Sequence, residues 1–437
     1  VEANRRVIVN VLVGIGIAGA IAVFHDSKWI AELEDAAMDA MMAVSQSLPR
    51  MSRSDSAALY SSFAFLDIDE NTHREWGEPA QVPRANLLDL IRFAHDGGAV
   101  AVIVDVDLSR PGPLEADDVA LADYLADASN RPDGPPVILI RSFYPATRTT
   151  DGRDYLLRAT LLDNQAVGPR ILWAQSLFKS GVDDRVIRSW QLVRLGCIEE
   201  SPVLVPSIQL VTVSILSGGD RGLANTIALG DELNRDLPGS CRDIPRAERS
   251  LEKEIQLGRH RIDIASGRTG ERLIYTIPYR SGPELQVVSA GAVVRATEPR
   301  AHDLVRDRVV VIGSSHADAR DTYRTPIGDM PGAVILINAV KSLGAFGQVR
   351  APNPLLKWTI NFVLILFMAF IFSWLESLLA EVLTGLVIVI VLLPLSFYFF
   401  KYGIWIDFAV PLLGMQLHHV AVELGDSYSG GFTRRGA

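Results

Sequence analysis

Cysteine is nearly missing from this chain of 437 residues: there are two, Cys197 and Cys241. In an oxidising compartment a single Cys197–Cys241 disulfide is the economical reading, with two buried thiols as the alternative, and spacing does not decide between them. A dense Lys/Arg stripe is also absent. With 42 Lys plus Arg against 51 Asp plus Glu the formal charge is −9, which excludes a nucleic-acid partner because nothing would neutralise the phosphates. There is no internal repeat and no low-complexity tract. Phosphate-binding fingerprints are missing as well. Gly313-Ser314-Ser315 follows an apolar run and resembles an anion cradle. It lacks the Lys of a P-loop and the spacing of a dinucleotide site, so a plain strand-to-loop turn is the simpler reading.

What the chain has in excess is apolar sequence, 49% of it, unevenly placed. Val7–Phe24 contains one polar side chain, Asn10. Leu355–Leu375, Leu378–Phe400 and Ile404–Val422 form a second apolar region, the last interrupted by Asp407, Pro411, His418 and His419. A helix rises about 1.5 Å per residue and a bilayer core is about 30 Å thick, so roughly 20 apolar residues span it. One N-terminal and about three C-terminal transmembrane helices are therefore expected. Arg5, Arg6 and the Ala20-Ile21-Ala22 stretch also fit a cleaved signal peptide, although the apolar run is long for one. Four spans put both termini on one side. Arg5/Arg6 and Arg434/Arg435 then place the intervening domain outside the cytoplasmic membrane. The expected division is 1–25 as anchor, 26–354 as extracytoplasmic domain, 355–422 as membrane helices and 423–437 as a cytoplasmic tail.

Between the anchors, Trp29–Met51 has apolar residues at helical spacing. Phe63–Ile68 reads as a strand ending in Asp67 and Asp69, and a helix follows over Ala85–Gly97. Ala99–Val106 reads as a second strand running into Asp105 and Asp107; Glu115–Ala128 is a helix and Pro136–Ile140 a third strand. Unbroken apolar strands alternating with helices predict an α/β fold with a mainly parallel sheet covered on both faces. Val137–Val293 is more β-rich and less regular. A further buried strand lies within Asp303–Gly313, then a loop over Ser314–Asp329 and a helix over Ala333–Ala345.

The order of short motifs resembles the CHASE2 family of extracytoplasmic sensory domains on bacterial membrane receptors. The opening features are Asp67-Ile68-Asp69, Thr72, Trp76, Pro83-Arg84 and a second strand into Asp105. Glu115-Ala116-Asp117-Asp118 with Leu121-Ala122, and Pro206-Ser207 before an apolar helix, follow in sequence. The closing block holds Ile312-Gly313, Asp321, Thr325-Pro326, Pro331-Gly332 and Asn338-Ala339. The resemblance covers about Ser54–Leu343, and departs at Leu336, where the family commonly has His. It implies a receptor, often dimeric, that relays a stimulus through its membrane helices. About fifteen residues follow the last apolar run, too few for a catalytic output domain. A separate cytoplasmic signalling partner, or a longer receptor of which this is a fragment, is the corresponding expectation.

The acids at strand ends are the leading candidate site, because parallel strands direct their carboxyl ends to one crevice. Clustered carboxylates need a cation, an Arg or a proton. A divalent cation, Ca²⁺ or Mg²⁺, held by Asp67, Asp69 and Asp105 is one expectation; helix capping or pairing with Arg84 and Arg320 is the other. The ligand-binding set is Asp67, Asp69, Arg84, Asp105 and Asp107, with Asp321 and Thr325 singled out by the resemblance. No enzymatic activity is expected. A phosphohydrolase opening on Asp67 and Asp69 is a remote alternative, since it needs a Lys and Lys is scarce, with Lys179, Lys253 and Lys341 the main candidates. A docking scaffold for an envelope complex is the other. His418 and His419 point about 100° apart on a helix and do not share one face.

Overall fold

The runs FAFLDI, AVIV, VILI and VVVIGS are β-branched and aromatic, and too short and too apolar to serve as exposed helices. In the computed structural model they become neighbours in one sheet. The structure describes residues 2–24, 27–47, 60, 62–145, 155–163, 165–181, 184–198, 201–235, 237, 240, 253–295, 299–375, 377–400, 402–409 and 411–421. Two compact units emerge: Leu48–Gln348, and Val1–Ser47 together with Val349–Ala437.

In the first unit six strands, β1 (Phe63–Ile68), β2 (Ala101–Val104), β3 (Val137–Ile140), β4 (Ile171–Ala174), β5 (Leu285–Ser289) and β6 (Val309–Ser314), form a parallel sheet in the order β5-β1-β6-β2-β3-β4. The fold class expected from the sequence is therefore present. Side chains alternate across the strands. Leu66, Ile68, Val102, Val104, Val310 and Ile312 face one core, under the helices Arg84–Asp96, Glu115–Ala128 and Ala290–Arg295. The opposite face carries the helix Gly332–Phe346, buried continuously from Ala333 to Gly344. A helix apolar on every side belongs inside a core, and each fully buried Val, Leu or Ile contributes about 1.5–3 kcal/mol.

Several boundaries differ from the sequence reading for local reasons. The second strand shrinks to Ala101–Val104, because Gly98 takes φ +76° and ends the preceding turn. The predicted loop 314–329 contains an antiparallel hairpin, β7 (Thr322–Thr325) and β8 (Gly328–Pro331). The irregular middle region holds β4, a four-stranded sheet built on Val193–Ile198 and Ser201–Pro206, and the helix Ile208–Ser217. Ser207 caps that helix by accepting from Leu210 N at 3.3 Å. Cys197 lies in Val193–Ile198; Cys241, and with it the expected disulfide, falls outside the described residues.

The second unit contains the helices Glu2–Val23, Lys28–Ser47 and Pro354–Trp374. Among the described residues one helix, Val382–Phe400, is long and apolar enough to cross a membrane; Val7–Ile21 and Phe362–Trp374 are shorter apolar helices. The run from Ile404 does not start as a helix. Ile404 bridges to Arg350, Asp407 accepts from Ala409 N at 2.9 Å, and 411–421 is helical. Of the three glycines near the start, Gly14 is packed closely: a Cβ there would stand 2.9 Å from Ile365 Cγ2, whereas Gly16 and Gly19 have open space. Asn10 Nδ2 donates to Ser373 Oγ at 3.1 Å, and His418 Nε2 lies 3.2 Å from Asn10 O.

Candidate functional site: the carboxyl edge of the parallel sheet

The chain leaves β1 and β2 toward helices on one face of the sheet, and leaves β6, which lies between them, toward the hairpin and Gly332–Phe346 on the other. Such a reversal opens a crevice at the carboxyl ends of the strands. Asp67, the fifth residue of β1, pairs in register with Gly313 of β6. On the other side of Gly313, a Cβ would stand 3.4 Å from Asp105 Cβ and 3.0 Å from Ala333 Cβ. Asp67 and Asp105 thus flank a position with no side chain, on the face opposite the main core. Asp321 reaches the same edge from the start of the hairpin. Its backbone carbonyl accepts from Gly332 N at 2.8 Å, and a Cβ on Gly332 would meet its Oδ2 at 2.5 Å. The two glycines of the closing motif are therefore spaces kept clear beside acids.

These three carboxyls share one electrostatic condition. Asp67 is 2% exposed, and Tyr279 Oη and Ser315 Oγ donate to its Oδ2 at 2.6 and 2.9 Å. Its Oδ1 is buried without a partner. Burial raises the carboxyl above its ordinary range despite those two hydrogen bonds. Asp105 is pushed up by burial and then by the Asp321 charge, and no hydrogen bond offsets either. Burial raises Asp321 too, opposed by Tyr323 and the Gly332 N–H. The Tyr279 and Tyr323 hydroxyls are both pushed to about 12, by burial and by the carboxylates they face.

The remaining candidates have other work. Asp69 caps Glu70–Glu75, accepting from Thr72 N at 2.7 Å. Burial would raise it, but the hydrogen bonds from Thr72, Ser289 and Asn71 outweigh burial and lower it. Asp107 accepts from Ser109 N at 2.8 Å; its burial is likewise outweighed, by Ser109, Ser142 and the Arg158 charge, and it is lowered. The expected metal set Asp67, Asp69 and Asp105 is thus not assembled, since Asp69 is spent on a helix cap. Among the described residues no group of three or more His, Cys, Asp or Glu is arranged to hold a metal ion. Arg84 is 1% exposed and pairs with Asp118 (3.2 Å), not with the strand-end acids. Its Nη2 donates to Arg110 O at 2.8 Å, tying down the loop after β2. Thr325 closes the hairpin, donating to Gly328 O at 2.5 Å. The anion-cradle reading of Gly313-Ser314-Ser315 fails because Ser315 N donates to Ile68 O and Ser315 Oγ to Asp67. Lys179 and Lys341 pair with Glu271 and Glu284, both at 2.7 Å.

Two clefts open on this edge, of about 1080 Å³ and about 680 Å³, and Asp105 and Asp321 line both. The larger adds Gln175, Arg185 and Arg324; the smaller adds Arg84, Arg110 and a stacked pair, His73 and His316, with ring centroids 3.8 Å apart. His73 is 5% exposed, with Nε2 3.5 Å from Asp318 Oδ2. Burial and then the His73 charge lower His316. Sequence reading missed this pair: His73 and His316 are separated by the whole domain, and only the β1–β6 pairing brings them together.

No curated protein matches the chain, and no solved structure does. The family model of the CHASE2 domain matches residues 12–378. With a match over most of its length, the chain belongs to the CHASE2 family of extracellular sensory domains.

Proposed function

We propose that this protein is a membrane-anchored sensory subunit: the α/β domain stands outside the cytoplasmic membrane, binds a stimulus at its carboxyl edge, and relays a shift through one N-terminal and three C-terminal spans. The observation that carries the reading is the Asp105–Asp321 pair, shared by two clefts, in which burial raises both carboxyls and the Asp321 charge raises Asp105 further. Carboxyls in that state oppose stability, and such groups cluster where a protein binds or acts. Family membership supports a sensory role, and the apolar helix Val382–Phe400 supports a membrane location. The relay works only if the stimulus binds one arrangement better than another. The output belongs to a separate cytoplasmic protein, and the subunit pairs with a second copy.

The role is non-enzymatic. The carboxyl edge offers raised carboxyls and tyrosines, while Lys179 and Lys341 are committed to ion pairs. A divalent cation would have to be held by Asp67 and Asp105 without Asp69. The test is thermal unfolding of the full chain in lipid nanodiscs against metabolites, Ca²⁺, Mg²⁺ and pH, beside an Asp67→Asn/Asp105→Asn variant. A saturable rise in the wild type that the variant lacks supports the sensor. A wild-type midpoint indifferent to every compound overturns it in favour of a docking scaffold.

A further inference from the structure

Several of the unmatched buried polar atoms among the described residues lie on the smaller cleft. Arg84 spends Nε and Nη2 on Asp118 and on loop carbonyls, but its Nη1 is buried and reaches no acceptor among the described residues. Gln81 Oε1 and His316 Nδ1, on the same cleft, are buried without partners as well. Among the described residues no hydrogen bond reaches the carboxyl of Asp105. A buried donor left unmade costs about 1–3 kcal/mol, and more when it is charged.

The charges around this cleft select what could occupy it. Five acids line it, among them Asp105, Asp107 and Asp321, against two arginines, Arg84 and Arg110. A simple anion would meet Arg84 but be repelled by the surplus of acids. A simple cation would suit the acids and leave the Arg84 Nη1 unpaired in a buried site. A small molecule carrying both charges satisfies both demands. Ile68, Trp76 and Val82 supply an apolar flank beside these groups.

We propose that the Arg84–Asp105 cleft binds a small zwitterion of the α-amino-acid class, with its carboxylate on Arg84 Nη1, its ammonium toward Asp105, and its side chain along Ile68, Trp76 and Val82. The proposal rests on the reading of this edge as the stimulus site and names the ligand class for it. Arg84 is then both the anchor of the loop after β2 and a ligand-binding residue, so occupancy bears directly on the loop that Arg110 and Asp107 belong to.

The experiment uses the full chain in nanodiscs and measures thermal shift and titration calorimetry. The probes are the L-α-amino acids, the matching amines without the carboxylate, and the matching carboxylic acids without the amine. At least one amino acid is expected to give a saturable shift, with each of its single-charge analogues bound tenfold or more weakly. Asp105→Asn, which keeps the side-chain shape, is expected to abolish the shift, and Arg84→Lys to weaken binding at least tenfold. If an amine or an acid alone binds as well as the amino acid, the ligand class is wrong and the sensory site stands. If other compounds shift the midpoint and no amino acid does, the class is again wrong. If no compound of any kind shifts it, the zwitterion proposal and the sensor reading fall together.

Discussion

Replacing Asp105 by Asn removes a charge the fold resists while preserving shape, so the unliganded protein should become more stable. An unfolded Asp ionises near pH 3.9, whereas burial and the Asp321 charge keep the folded Asp105 protonated to far higher pH. Between those limits the folded state holds a proton that the unfolded chain has lost. For a carboxyl raised in this way, the stabilisation is fully present below about pH 4 and is lost as pH climbs toward the folded value. One proton corresponds to a slope of about 1.4 kcal/mol per pH unit. Asp105 and Asp321 titrate as a pair, so the pair is counted as holding one proton. From pH 5 to pH 7 the wild type should therefore lose about 2–3 kcal/mol relative to Asp105→Asn, or about 3–5 °C in midpoint for a domain of this size. The assay is thermal unfolding of both proteins in nanodiscs from pH 4 to pH 8. The gap should be small at pH 4 and widen steadily in favour of the variant. Parallel curves, or a variant less stable than the wild type at pH 8, would show that Asp105 is an ordinary ionised structural acid.

Asp69→Ala acts in the opposite sense: it removes the cap on Glu70–Glu75 and should cost about 1 kcal/mol near neutral pH. Because the folded Asp69 is lowered, that stabilisation is present above about pH 4 and fades as pH falls through the folded value, which unfolding at pH 3 and pH 7 would check. Asn338→Leu strips a fully buried amide that accepts from Thr276 N and Ile277 N, both at 2.9 Å. Two orphaned buried N–H groups cost about 2–6 kcal/mol, so amide exchange across 273–277 should accelerate by roughly thirtyfold or more; a change under tenfold would refute the clamp. Gly332→Ala places a methyl against Asp321 Oδ2 and should weaken ligand binding at least tenfold while leaving exchange of β3 unchanged. Binding an ammonium beside Asp105, which faces Asp321 and lies across Gly313 from Asp67, should expel a proton. Amino-acid affinity should then rise up to tenfold per pH unit between pH 5 and 7, with proton release detected by calorimetry in buffers of different ionisation heat.

Much of the scaffold is local and was readable in the chain. The runs at Phe63, Ala101, Val137 and Val309 are continuous apolar segments with acids at their ends, which specifies buried parallel strands and directs those acids to one edge. Long apolar runs likewise announce the terminal helices, because a helix of that composition has no favourable place in water. Tertiary structure alone decided which acids are free. Asp67 and Asp69, two residues apart, differ because Asp67 lies inside β1 facing Gly313, while Asp69 has already turned to cap a helix. Insertion of β6 between β1 and β2 is a long-range pairing that no local pattern encodes, and it sets Asp67 and Asp105 on either side of Gly313 and stacks His73 on His316. The pairing of Arg84 with Asp118, rather than with a strand-end acid, follows from two helices packing on the same sheet face. Local sequence determines which segments are buried; the charge state and freedom of a buried group depend on its neighbours, and here those neighbours come from remote parts of the chain.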